Sequence, residues 1–106
     1  MLAALAVILW FAWPSTREVS AYKYVSTLAG LKGELGEPFG IAANEMEIYI
    51  SDGQHGKIWR VRGDTIEEFV TGLDTPSGIA FDKAGNLIVA DPGSHTIKSI
   101  GKKGDV

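Results

Sequence analysis

The chain is 106 residues long, 45% hydrophobic, and carries a formal net charge of −3. That length holds one small domain at most, and the mild acidity argues against a nucleic-acid partner, which would want a basic stripe. The absence of cysteine removes disulfides, thiol catalysis and thiolate metal sites, while leaving an oxidising compartment open.

The first element is an unbroken apolar run over residues 2–13, followed by Pro14, Ser15, Thr16, Arg17 and Glu18. Twelve residues at a helical rise of about 1.5 Å each are too short to cross a bilayer core. The length is that of the apolar region of a secretory signal, and Val19, Ser20 and Ala21 supply the small residues a signal peptidase reads. No Lys or Arg precedes the run. Residues 1–21 are therefore expected to be a hydrophobic leader, either a signal peptide cut after Ala21 or an uncleaved membrane anchor. A buried core segment is the alternative. The leader reading makes the remainder secreted, periplasmic or membrane-anchored outside the cytoplasm.

Residues 23–29 form a β-rich run ended by Gly30, and a glycine-studded connector follows with Gly33 and Gly36. The connector lacks the Gly-Lys-Ser/Thr ending of a phosphate loop. Strands are then predicted over residues 39–43, 47–51, 57–62 and 65–71. Turns carry Asp52-Gly53-Gln54-His55-Gly56 and Gly63-Asp64, where Asp and Gly suit tight turns. A second set of strands is predicted over residues 78–81, 87–90 and 96–100, and Val106 is expected to open a fourth. The second strands are apolar at consecutive positions (Ile48, Tyr49, Ile50; Leu87, Ile88, Val89). Consecutive rather than alternating apolar residues mean that both faces are covered.

These two sets are one pattern written twice. Pro38-Phe39-Gly40-Ile41-Ala42 returns as Pro76-Ser77-Gly78-Ile79-Ala80. Ile48-Tyr49-Ile50-Ser51-Asp52 returns as Leu87-Ile88-Val89-Ala90-Asp91, and Lys57-Ile58-Trp59-Arg60-Val61 as Thr96-Ile97-Lys98-Ser99-Ile100. A period near 40 built from four short strands is that of propeller blades. The fold class expected is all-β, with antiparallel four-stranded blades of a partial β-propeller. Residues 22–30 are the outer strand of a preceding blade, 37–72 one blade and 75–106 an incomplete blade. Two blades leave large faces open, so the remaining blades are expected either from a longer chain or from homo-oligomerisation.

The second unit resembles the NHL repeat, through Pro76, Gly78, Ile79, Ala80, Asp82, Gly85, Asn86, Leu87, Val89, Ala90, Asp91, Gly93, His95 and Ile97. The first unit keeps Pro38, Gly40, Ile41, Ala42, Asp52 and Ile58. The resemblance implies a propeller that serves as a binding platform, a sensor domain or, less often, an enzyme.

Asp52 and Asp91 share a repeat position after the second strand. They either bind a hard cation at an axial site or accept hydrogen bonds from the following turn, and the second reading is preferred. His55 aligns with Ser94, and His95 with Gly56. Two histidines at different repeat positions do not make the three-ligand set of a catalytic zinc. Asp52, Asp91 and His95 stand as the metal candidates, and Asp52, Gln54, His55, Asp91, Ser94 and His95 as the binding-loop candidates. Asn44 and Asp82 align and read as turn residues; their loops, residues 44–47 and 82–86, join residues 52–56 and 91–95 as candidate binding loops, and the sequence does not say which face binds. Trp59 stands where the second unit has Lys98, and packing is preferred to an exposed contact. No motif places a nucleophile. The function expected is non-catalytic recognition of a protein, peptide or glycan, with no cofactor and no nucleic acid. The alternative is part of a Ca²⁺- or Zn²⁺-dependent propeller enzyme, like the gluconolactonases or amidating lyases.

Overall fold

The computed structural model describes residues 25–106, so the expected leader at 1–21 lies outside the described residues. Within them the chain is all-β. Four strands, β1 (Pro38–Ala43), β2 (Ile48–Asp52), β3 (Lys57–Arg62) and β4 (Thr65–Val70), form one antiparallel meander. Three more, β5 (Ile79–Phe81), β6 (Leu87–Asp91) and β7 (Thr96–Ile100), form a second. They are a four-stranded blade and a three-stranded partial blade of a propeller. No helix of the described residues is long and apolar enough to cross a membrane.

The turns are what glycine and the short polar side chains dictate. Asn44 Oδ1 accepts from the Met46 and Glu47 amides, and Asp82 Oδ1 accepts from those of Ala84 and Asn86. Each closes the first hairpin of its blade through its own side chain. Gly63, between β3 and β4, adopts φ 58°, in the left-handed region that glycine enters without a steric penalty.

The blades stack face to face. Tyr49, Ile58 and Val70 of the first blade share one core with Leu87, Val89 and Ile100 of the second, and Ala42, Phe69, Leu73, Ile79 and Phe81 pack around it. Ile58, Val89 and Ile100 are wholly buried; burying one such side chain is worth about 1.5–3 kcal/mol. The other face of the first blade buries Ile50, Trp59 and Val61 under Ala29 and Leu35 of the lead segment. Strand β2 is thus covered on both sides, which is why its apolar residues run consecutively.

Residues 25–30, expected within an outer strand, run without strand pairing. A strand exists only through hydrogen bonds to a neighbour, and this run instead lays Ala29 on the face of the first blade. Asp91 ends β6 rather than opening a turn, and residues 92–94 form one turn of 3₁₀ helix. Val106 does not pair.

Candidate binding site

Candidate residues sit at both ends of the stacked blades. The β2–β3 and β6–β7 connections carry Asp52, Gln54, His55, Asp91, Ser94 and His95. The opposite end carries the β1–β2 and β5–β6 turns, with Gly101 and Lys102 after β7.

Asp52 and Asp91 are fully buried, and a buried carboxylate must be satisfied by donors. Both draw donors from the backbone upstream, and Asp52 from the turn that follows as well. Asp52 accepts from the amides of Gly36 at 3.0 Å and Glu37 at 3.1 Å. Asp91 accepts from those of Asp74 at 3.0 Å and Thr75 at 2.7 Å. Each Asp therefore latches the segment that leads into its own blade. Asp52 also receives donors from the turn after it, the His55 amide at 3.1 Å and the His55 ring at 2.8 Å, and the Ser94 hydroxyl in the turn after β6 helps to hold Asp91 ionised.

The third strand completes each latch. Trp59 Nε1 donates to Asp52 at 3.0 Å, and Lys98 Nζ donates to Asp91 at 3.1 Å. A neutral indole and a cationic amine thus do one job at one repeat position. Burial alone would raise both carboxyls. The donors outweigh it: the Asp91 carboxyl is held at about 2, and that of Asp52 lies well below the usual carboxylate range through Trp59, the Gly36 and Glu37 amides and His55.

Gln54, His55, Ser94 and His95 are exposed. Because the ionised Asp52 is acceptor-only, a neutral His55 carries its proton on Nδ1. His95 takes φ 59° and ψ 35°, the left-handed conformation that Gly56 takes at the equivalent place with φ 65°. No group of three or more His, Asp or Glu side chains among the described residues is placed to hold a metal ion. This end is therefore two structural latches beneath a scatter of exposed polar side chains.

The opposite end is concave. A cleft of about 580 Å³ opens between the blades, lined by Asn44, Glu47, Tyr49, Phe69, Phe81 and Lys102 among others. Its floor is aromatic. Tyr49 meets Phe69 edge-on at 4.9 Å and Phe81 at 5.4 Å between ring centroids, the geometry ring quadrupoles favour. The Arg60 guanidinium lies 5.3 Å from the centre of the Phe69 ring.

Charge at the rim is settled on one side and open on the other. Glu47 accepts from Tyr49 Oη at 3.0 Å, pairs with Arg62, and lies 3.5 Å from Arg60. Burial works against its ionisation, but Arg62, Tyr49 and Arg60 hold its carboxyl below the ordinary value. The Tyr49 hydroxyl is pushed up by burial and by Glu47. Across the cleft, Asp82 is lowered by the Asn86 side chain and the turn amides. Lys83 and Lys102 line the same cleft, and neither is in an ion pair among the described residues.

The side chains singled out from the sequence, Asp52, Gln54, His55, Asp91, Ser94 and His95, thus lie at the end away from the cleft, whereas the candidate loops 44–47 and 82–86 border it. Nothing in the repeat marks Tyr49, Phe69 and Phe81 as a site. Tyr49 stands inside an apolar strand where the second unit has Ile88, so only the approach of the blades turns it into a floor.

Residues 73–98 match the family model of the NHL repeat. That span covers the Asp91 latch and its Lys98. No curated protein matches the chain.

Proposed function

We propose that this chain, which carries an NHL repeat at residues 73–98, is a non-catalytic recognition module that seats a peptide segment of a protein partner in the inter-blade cleft. The cleft carries the reading. Its volume lies in the range of about 300–1,000 Å³ common to ligand sites, and it joins an apolar floor to a few polar groups, as such sites do. The rings of Phe69 and Phe81 suit an apolar or aromatic side chain, and Lys83 and Lys102 suit a carboxylate beside it. The apolar run at residues 2–13 supports placing this activity outside the cytoplasm.

The metal-dependent alternative draws on Asp52, Asp91 and His95. Both oxygens of each Asp already accept from protein donors, so a cation there would share or displace the donors of a latch.

The test is an anisotropy titration of labelled octapeptides bearing one aromatic side chain between two acidic ones. Each is titrated with the full chain and with a Lys83→Glu/Lys102→Glu double variant. We expect the variant to bind at least about tenfold more weakly with an unchanged thermal midpoint, since both positions are exposed. Equal affinity for both proteins would contradict the reading.

A further inference from the structure

The side chains around the inter-blade cleft divide into acceptors and donors, and the two sets are in opposite condition. The acceptors are spent. Glu47 takes Tyr49 Oη and the Arg62 guanidinium. Asp82 takes the Ala84 and Asn86 amides on one oxygen and Asn86 Nδ2 at 3.1 Å on the other. Asn44 Oδ1 takes the Met46 amide at 2.9 Å and the Glu47 amide at 2.8 Å. The hydroxyl of the floor, on Tyr49, gives its proton to Glu47.

The donors are not spent. The two amides assign Oδ1 of Asn44, so its Nδ2 is the group left over, and it donates to nothing among the described residues. Lys83 and Lys102 pair with no carboxylate there either. Asp105 stands against Gly101 but does not line the cleft. A rim with donors to spare and no free side-chain acceptor selects a ligand group that only accepts. A ligand hydroxyl finds no side-chain acceptor for its proton, and an unmet polar group weakens binding.

These donors and the aromatic floor form one place. Lys102 rides on the reverse turn at residues 101–104, which the Gly104 amide closes on Gly101 O at 2.9 Å. The end of that turn rests on the first blade, since a Cβ on Gly104 would come 2.9 Å from Phe69 O and 3.8 Å from the Phe69 ring. The Lys102 stem crosses the turn that holds Lys83. Its Cε lies 2.9 Å from where a Cβ on Gly85 would stand, and glycine at φ 87° leaves it room.

This closeness bears on how ring and anion are presented. In an extended peptide, successive side chains point to opposite faces. A carboxylate on the residue next to an aromatic one therefore reaches the rim only if the backbone bends. A ring that carries its own anion needs no bend, and fewer bonds are ordered on binding. Tyrosine esterified on its oxygen has this form. The ester removes the phenolic proton and puts a tetrahedral set of acceptor oxygens in its place.

We infer that the preferred occupant of the cleft is a tyrosine side chain carrying O-sulfate or O-phosphate. Its ring lies on Phe69 and Phe81, and its oxyanion meets Asn44, Lys83 and Lys102. The inference rests on the reading of the cleft as a peptide site and names the residue that the site takes. The two esters share the acceptor-only chemistry that the rim selects.

The test is an anisotropy titration of the full chain with octapeptides of neutral flanks that differ at one central position: Phe, Tyr, sulfotyrosine or phosphotyrosine. The aromatic peptide with two acidic neighbours is titrated beside them. We expect at least one ester to bind about tenfold or more tightly than Tyr, through charge-assisted hydrogen bonds in place of an unmet hydroxyl. The tighter ester names the source of the anion. Asn44→Asp separates recognition from folding. Aspartate closes the same turn in the second blade, at Asp82, so the thermal midpoint should hold. A carboxylate oxygen then replaces Nδ2, and the ester-to-Tyr ratio should fall to about one. Esters no tighter than Tyr, with the doubly acidic peptide still bound, would overturn the inference and leave peptide recognition standing. A ratio unchanged in both Asn44→Asp and Lys83→Met/Lys102→Met would also overturn it, since the anion would then sit elsewhere. No binding by any of the peptides would overturn both readings.

Discussion

Asp52 and Asp91 spend their carboxylates on backbone amides 15–17 residues upstream, and that contact fixes the path by which the chain enters each blade. The carboxyl of Asp91 is lowered from an ordinary 3.8 to about 2. A lowered carboxyl stabilises the fold fully above its ordinary value, and that stabilisation is lost as the pH falls through the folded value. Asp91 is wholly buried, so a shift of this size corresponds to about 2 kcal/mol. Thermal midpoints should therefore fall between about pH 5 and pH 2. Asp91→Asn should be less stable at pH 7 and show a shallower fall over the same window; parallel curves for the two proteins would show that Asp91 does not carry the effect. The recurrence of the two aspartates is plain in the sequence, but their donors are not. The amides of Gly36 and Thr75 have no sequence signature, and the common task of Trp59 and Lys98 is hidden because the two side chains share only an N–H aimed at one oxygen.

At the level of elements, strand positions are legible because turn residues punctuate short apolar runs, and β3 and β7 fall at the expected residues. What periodicity does not contain is a strand's partner. The run at residues 25–30 has strand-like composition, yet it forms no strand pairing here. The same limit governs burial. Ile58 and Ile97 are identical in type and repeat position, and only the stacking of the second blade on the first separates them. Ile58→Ala should cost about 2–4 kcal/mol through the cavity left in the inter-blade core. Ile97→Ala should stay within about 0.5 kcal/mol in urea unfolding at a dilution where chains are separate. Equal costs would mean that the blades do not pack as described.

For the molecule as a whole, the functional argument depends on which end of the blades is concave. The repeat directs attention to the turns after the second strands, because Asp52 recurs there as Asp91 and each turn carries a histidine. Folding buries those aspartates in latches and opens the cleft at the other end, over Tyr49, Phe69 and Phe81. A cleft between blades belongs to neither repeat alone, which is why no single unit displays it. The central claim is that recognition occurs in this cleft, and backbone amide NMR tests it most directly, with an acidic-aromatic octapeptide added stepwise to the full chain. Shifts at Asn44 to Tyr49, Phe81 to Leu87 and Gly101 to Lys102 are predicted. Shifts confined to Gln54, His55, Ser94 and His95 would place recognition at the latch end and contradict the claim.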